Sequence, residues 1–139
     1  MFKRIMLAAD GSEHSLRAAD KAAMIASYDD ESYVSVVYVV DSDESRHEIL
    51  ESWETSDISS KRRAKLQPIE DALRQAGARF GTILLEGKPG PTIVDYANKH
   101  GFDLVIIGSR GLNSLQEFVL GSVSHKVAKR VECPVLIVK

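Results

Sequence analysis

Short apolar runs alternate along the chain with stretches whose apolar residues recur every three or four positions. The runs are Ile5 to Ala9, Tyr33 to Val40, Arg79 to Leu85, Phe102 to Ile107 and Pro134 to Val138. Ile5 to Ala9, Val36 to Val40 and Leu104 to Ile107 are continuous rather than alternating, as strands of a parallel sheet are when both faces are covered. Between the runs, Leu16, Ala19, Ala23 and Ala26 keep helical spacing, and so do Leu66, Ile69, Leu73 and Ala76. Val123, Val127 and Val131 mark a last helix. Gly77 and Gly101 fall just past helical patterns, where a left-handed residue ends a helix. Pro91, with Gly90 before it, suits the first turn of the third helix. The order β-α-β-α-β-α-β-α-β predicts an open, doubly wound α/β fold, three layers deep around a five-stranded parallel sheet.

Composition narrows the class. A chain of 139 residues with 44% apolar and 27% charged residues suits one globular domain, residues 1–139. The formal charge of −2 offers no electrostatic case for nucleic acid or a membrane surface. Cys133 is the one cysteine, which fits a reducing, cytoplasmic setting. Met1 to Arg4 imitates the charged start of a signal peptide, but Asp10 ends the following apolar run too early. One segment stands apart: from Asp41 to Asp57 there are seven acidic residues, one arginine and Trp53. It reads as a solvated connection or, more sharply, as a mobile lid anchored by Trp53.

Open parallel sheets bind ligands beyond the carboxyl ends of their strands, where strand order reverses. The residues to inspect there are Asp10-Gly11-Ser12, Asp41-Ser42, Glu86-Gly87-Lys88 and Gly108-Ser109-Arg110-Gly111. The last of these opens the pattern G-x2-G-x9-G-[ST], completed by Gly121-Ser122. Glycines allow positive φ and close approach of backbone to a ligand. The start of the last helix offers N–H groups of Ser122, Val123 and Ser124 to an anion, and Ser122 and Ser124 add hydroxyls. The competing reading makes the glycines turn residues and Ser122 an N-cap. Asp10 is either a ligand residue or an acceptor for N–H groups at the following helix start; Arg110 faces solvent or pairs with phosphate. Lys88 tempts a Walker A reading, but Pro89 follows it and the upstream glycine is missing. His14, His47, His100 and His125 share no metal-ligand spacing and read as solvated helix and loop residues.

The run from Gly108 to Val138 resembles the C-terminal signature of the universal stress protein family. Ala9 to Ser15 resembles its N-terminal signature, and Gly87-Lys88-Pro89 is similar to its middle turn. The resemblance spans essentially the whole chain, and the glycine spacing is that of the family's ATP-binding branch. It implies an adenine-nucleotide-hydrolase-like fold with strand order 3-2-1-4-5 and ATP (or ADP) with Mg²⁺ as ligands. By the same resemblance Asp10 lies beside the ribose and metal-phosphate region. Ala8, where the family often has Pro, and Ala9 lie at the adenine wall. Val39, with Val40 as the one-residue alternative, presents its backbone to the adenine edge. Gly108, Ser109, Arg110 and Gly111 follow ribose and phosphates, and Gly121, Ser122, Val123 and Ser124 form the phosphate cradle. The resemblance also implies a homodimer through the terminal strand, Pro134 to Lys139.

Two functions fit these residues. One is a nucleotide-dependent regulatory protein of the stress response, with no catalytic residues. The other is a slow ATPase or nucleotidyl transferase using the same cradle. Phosphoryl transfer needs a positioned nucleophile and concentrated positive charge. Asp10 and one loop arginine are thin provision for it, so binding is the preferred expectation.

Overall fold

The computed structural model describes residues 2–41, 55–110 and 120–139, with the side chains of 55–60 left aside. Among the described residues, five strands, β1 (Arg4–Ala9), β2 (Tyr33–Val40), β3 (Arg79–Glu86), β4 (Leu104–Gly108) and β5 (Val135–Val138), alternate with four helices. These are α1 (Glu13–Ala26), α2 (Thr55–Gln75), α3 (Pro89–His100) and α4 (Ser122–Arg130). The strands pair in parallel in the order β3-β2-β1-β4-β5. Strand order therefore reverses between β1 and β4.

Alternation along the buried strands divides the core into two layers. Ile5, Leu7 and Ala9 of β1, with Val34 and Val36 of β2 and Ile106 of β4, pack against α1 and α2. Met6, Ala8, Val37, Val105 and Ile107 point the other way, towards α3 and α4. Ala18, Ala19, Ala22, Ala23 and Ala26 form the buried face of α1. Such small side chains let that helix lie close to the sheet. Leu16, placed on the same stripe by its spacing, lies at the margin and is 36% exposed.

Burial grades outward from the centre. β4 is buried throughout, whereas β3 and β5, at the two edges, expose part of nearly every residue. Helix ends follow the predicted signals at Gly77 and Gly101, with φ of +74° and +65°. At the start of α3, Pro91 lies in the first turn, as its position predicted, with Gly90 before it; Pro89 opens the helix after an N-cap at Lys88. β4 starts later than the apolar run suggested. Asp103 Oδ2 accepts from the N–H groups of Lys3 and Arg4 at 3.0 and 2.9 Å, so a carboxylate joins the chain there before the ladder begins. Of the acidic segment, 42–54 lies outside the described residues, and from Thr55 the chain is helical. No helix among the described residues is long and apolar enough to cross a membrane.

Candidate functional site

A cleft of about 360 Å³ opens over the carboxyl ends of β1, β2 and β4. Cavities of this order hold small ligands. Ala8, Ala9, Asp10, Val39, Gly108, Arg110, Gly121, Ser122, Val123 and Ser124, scattered over the sequence, all line it. Ser109 stands behind the lining: its N–H donates to Val138 O at 2.7 Å and its carbonyl accepts from Gly121 N at 2.8 Å. Gly111 and His47 lie outside the described residues. The cleft has an apolar side, with Ala8, Val39, Ile93 and Ile107, and a polar side built from helix starts.

Three helix N-termini line this cleft, and they differ in what remains to be bonded. Ser12 caps α1, its Oγ accepting from Ser15 N at 3.1 Å while Leu16 N reaches the Ser12 carbonyl at 3.0 Å. The first turn of α3 contains Pro89 and Pro91, which have no N–H. α4 has Gly121 as its N-cap and no side-chain cap; its first turn-closing bond runs from His125 N to Gly121 O at 2.9 Å. Among the described residues, nothing accepts from the N–H groups of Ser122, Val123 and Ser124. With the positive end of the helix dipole behind them, these three amides suit an anion. The N-cap reading of Ser122 is thereby replaced, since the glycine before it holds that position.

Hydroxyls and glycines do different work from what their spacing implied. Ser124 is buried, and its Oγ donates to Gly108 O at 2.6 Å, tying α4 to the end of β4. Neither Gly108 nor Gly121 has positive φ. A Cβ on Gly108 would stand 2.7 Å from His14 Cβ and 2.9 Å from its carbonyl carbon, so the glycine lets α1 press against β4. A Cβ on Gly121 would meet Ser109 O at 3.3 Å and Arg110 Cα at 3.4 Å. Gly11 is the glycine beside the cleft that does require positive φ, at +83°.

Asp10 Oδ1 accepts from Ser12 N at 2.9 Å, closing the turn into α1, while the residue still lines the cleft. The helix-start role weighed from sequence is thus present at a carboxylate that also faces the cleft. Arg110 lines the cleft as well. Lys88 does not; its ammonium lies 3.8 Å from Asp41 Oδ1 in an exposed pair of little energetic weight. His14 is half-buried, not solvated, with Nδ1 3.3 Å from Ser109 Oγ. Burial, then the positive charges of Arg17 and Arg110, hold its pKa below the ordinary 6.5, against a smaller opposing pull from Asp10 and Glu13. His100 stacks on Tyr96 far along α3, with ring centroids 4.2 Å apart. Burial pushes the Cys133 thiol above its ordinary range, away from reactivity.

Sequence reasoning passed over several lining residues. Asp41 follows β2 directly and the crevice rule pointed at it; Tyr38, Pro89 and Ile93 carried no signal of their own. Lys65 is the larger omission. It comes from the middle of α2, and with Arg110 it brings two cations to a lining that seemed almost free of them.

A sheet reversing at β1 and β4, with its cleft at the reversal, places the molecule among the open parallel α/β proteins that bind ligands at that point. The universal stress protein family model matches residues 1–139. Universal stress protein MJ0531 of Methanocaldococcus jannaschii is 36% identical over 143 residues, spanning 100% of this chain and 83% of that protein. The solved structure of MJ0577, from the same organism, superposes with a TM-score of 0.83 at 30% identity, covering 100% of this chain and 96% of that one. A universal stress protein solved in complex with cAMP superposes with a TM-score of 0.74 at 27% identity, covering 99% of this chain and 96% of that one. The chain belongs to the universal stress protein family.

Proposed function

We propose that this protein binds an adenine nucleotide, ATP together with Mg²⁺, across the β1–β4 cleft and acts as a nucleotide-dependent regulator in one domain. The observation that carries the reading is the start of α4, whose three first-turn amides meet the cleft with no acceptor among the described residues. Ala8, Val39, Ile93 and Ile107, which also line the cleft, suit the faces of a purine. The cAMP complex of a relative is consistent with an adenine ligand.

The donor set is compatible with Mg²⁺ that enters together with the nucleotide. No group of three His, Cys, Asp or Glu side chains fit to hold a metal occurs among the described residues. Mg²⁺ characteristically takes one or two carboxylates and completes its shell with phosphate oxygens and water. Asp10 is the carboxylate placed for that, so the metal arrives with the nucleotide and shields its charge. The groups around the cleft bind and orient; switching of a partner rather than rapid phosphoryl transfer is the activity they suit.

Pairing of a second copy along β5 completes the proposal. β5 is an edge strand whose Val135, Leu136 and Ile137 remain partly exposed, and an open apolar edge favours symmetric strand pairing. Sedimentation equilibrium of the full chain checks this, a concentration-independent monomer being the contrary result.

Native mass spectrometry of the purified protein, followed by thermal denaturation with and without ATP and Mg²⁺, tests the central reading. We expect retained adenine nucleotide and, at ligand concentrations about 100-fold above Kd, stabilisation of about 2.7 kcal/mol. An empty protein whose melting temperature ATP leaves unchanged would sink it.

A further inference from the structure

Lys65 and the cradle at α4 approach the cleft from opposite layers. α4 lies on one face of the sheet, with Val127 in its core, and α2 lies on the other, with Leu66 and Ile69 in its core. Lys65 nonetheless lines the same cleft as Ser122 to Ser124. Its stem rests on the turn between β1 and α1. The position of a Cβ on Gly11 lies 3.0, 3.3 and 3.5 Å from Lys65 Cβ, Cγ and Cδ. Gly11 takes the left-handed conformation, so bare backbone is present where the stem packs. The residue as a whole stays exposed, in keeping with a packed stem and a hydrated ammonium. The ion pairs among the described residues all join other side chains.

Charge decides what this lysine is for. Among the described residues, the charged side chains lining the cleft are Asp10, Asp41, Lys65 and Arg110, and Asp41 already lies 3.8 Å from the Lys88 ammonium. Lys65 and Arg110 are the cations of that lining, so removing Lys65 leaves Arg110 alone among the described lining residues to attract an anion. One phosphoryl group is matched by the amides of α4 and by Arg110. Every further phosphoryl group adds negative charge, so a second cation on the lining matters more as the phosphate chain lengthens.

Resting on the nucleotide reading above, we propose that Lys65 is the residue that sets the preference for phosphate-chain length, favouring nucleoside triphosphate over monophosphate. α2 then belongs to the binding site through this one side chain, and whatever displaces α2 alters the discrimination between ATP and AMP.

Lys65→Met tests this, since it keeps an unbranched stem against Gly11 and removes the charge. Titration calorimetry of the full chain with ATP, ADP and AMP, at low and high salt, reads the result. Lys65→Met should weaken ATP about tenfold and AMP less than about twofold, with ADP between them. Lys65→Arg should restore the ratio, and the salt dependence of ATP binding should be shallower in Lys65→Met than in the parent. Should Lys65→Met fail to fold, Lys65→Gln carries the same expectation. An unchanged ATP-to-AMP ratio, or equal weakening of all three ligands, overturns the proposal while leaving the nucleotide reading in place. If the parent protein itself binds none of the three, both fall together.

Discussion

Gly108 and Gly121 belong to one sequence pattern, yet their surroundings give them opposite duties. Gly108, at the end of β4, is held by packing: the first turn of α1 occupies the space a side chain would need, with His14 Cβ 2.7 Å from the Cβ position. Gly121, at the start of α4, has φ −59°, which any residue can adopt, and looser neighbours at 3.3 and 3.4 Å. It precedes the helix start that lines the cleft. A spacing of glycines along the sequence therefore joins a tight packing requirement to a position where, on the proposed reading, the ligand is held. Only the three-dimensional neighbours tell which is which.

Substitution separates the two. Gly108→Ala should be the most damaging change, because the obstacle is α1 backbone rather than a movable side chain. Overpacking of this kind costs about 3 kcal/mol, close to 10 °C in melting temperature for a chain this size, readable by calorimetry. A loss under about 1 kcal/mol would remove the packing account. Gly121→Val should move melting far less but weaken ATP more than about tenfold in calorimetric titration, since its branches stand over the α4 amides. Equal stability losses at the two glycines would erase the distinction.

Ser124 bridges these positions, its hydroxyl donating to the Gly108 carbonyl at 2.6 Å. Ser124→Ala removes that donor from a buried acceptor and should cost about 1 kcal/mol, or roughly 4 °C, with a smaller effect on ligand affinity than Gly121→Val. The smallest effect belongs to His14, which abuts Gly108 and contacts Ser109. Its folded pKa lies below the ordinary 6.5, so the unfolded chain takes up the proton first as pH falls. Its contribution is complete above that value and declines below it. His14→Gln should therefore flatten the decline in melting temperature between pH 7 and pH 5. Parallel pH profiles for parent and variant would deny His14 that role.

The limits of sequence reading follow the range of the interactions. Alternation and helical spacing are local, and they located the five strands and four helices of the described residues; β4 begins later than its apolar run, where the distant Asp103 accepts from Lys3 and Arg4. The crevice rule and the glycine spacing pointed to Asp10, Gly108, Arg110 and Gly121, which do meet at one cleft. Lys65 carried no such sign. It is one polar residue among many on an exposed helix face, and its nearness to Gly11 exists only once α2 packs beside α1.

What the amino-acid order determined by itself is thus the alternation of elements, the two-sided burial of the central strands and the chemistry offered by each loop. Those depend on residue type and on spacings of two to four positions, which the chain carries wherever it goes. Tertiary structure alone decided which helix start has no acceptor for its amides among the described residues, which glycine yields to a neighbouring helix and which cation joins the cleft. Each of these turns on a distance between residues far apart in sequence, from His14 to Gly108 and from Gly11 to Lys65. Such distances come into being only when two layers of helices close on one sheet.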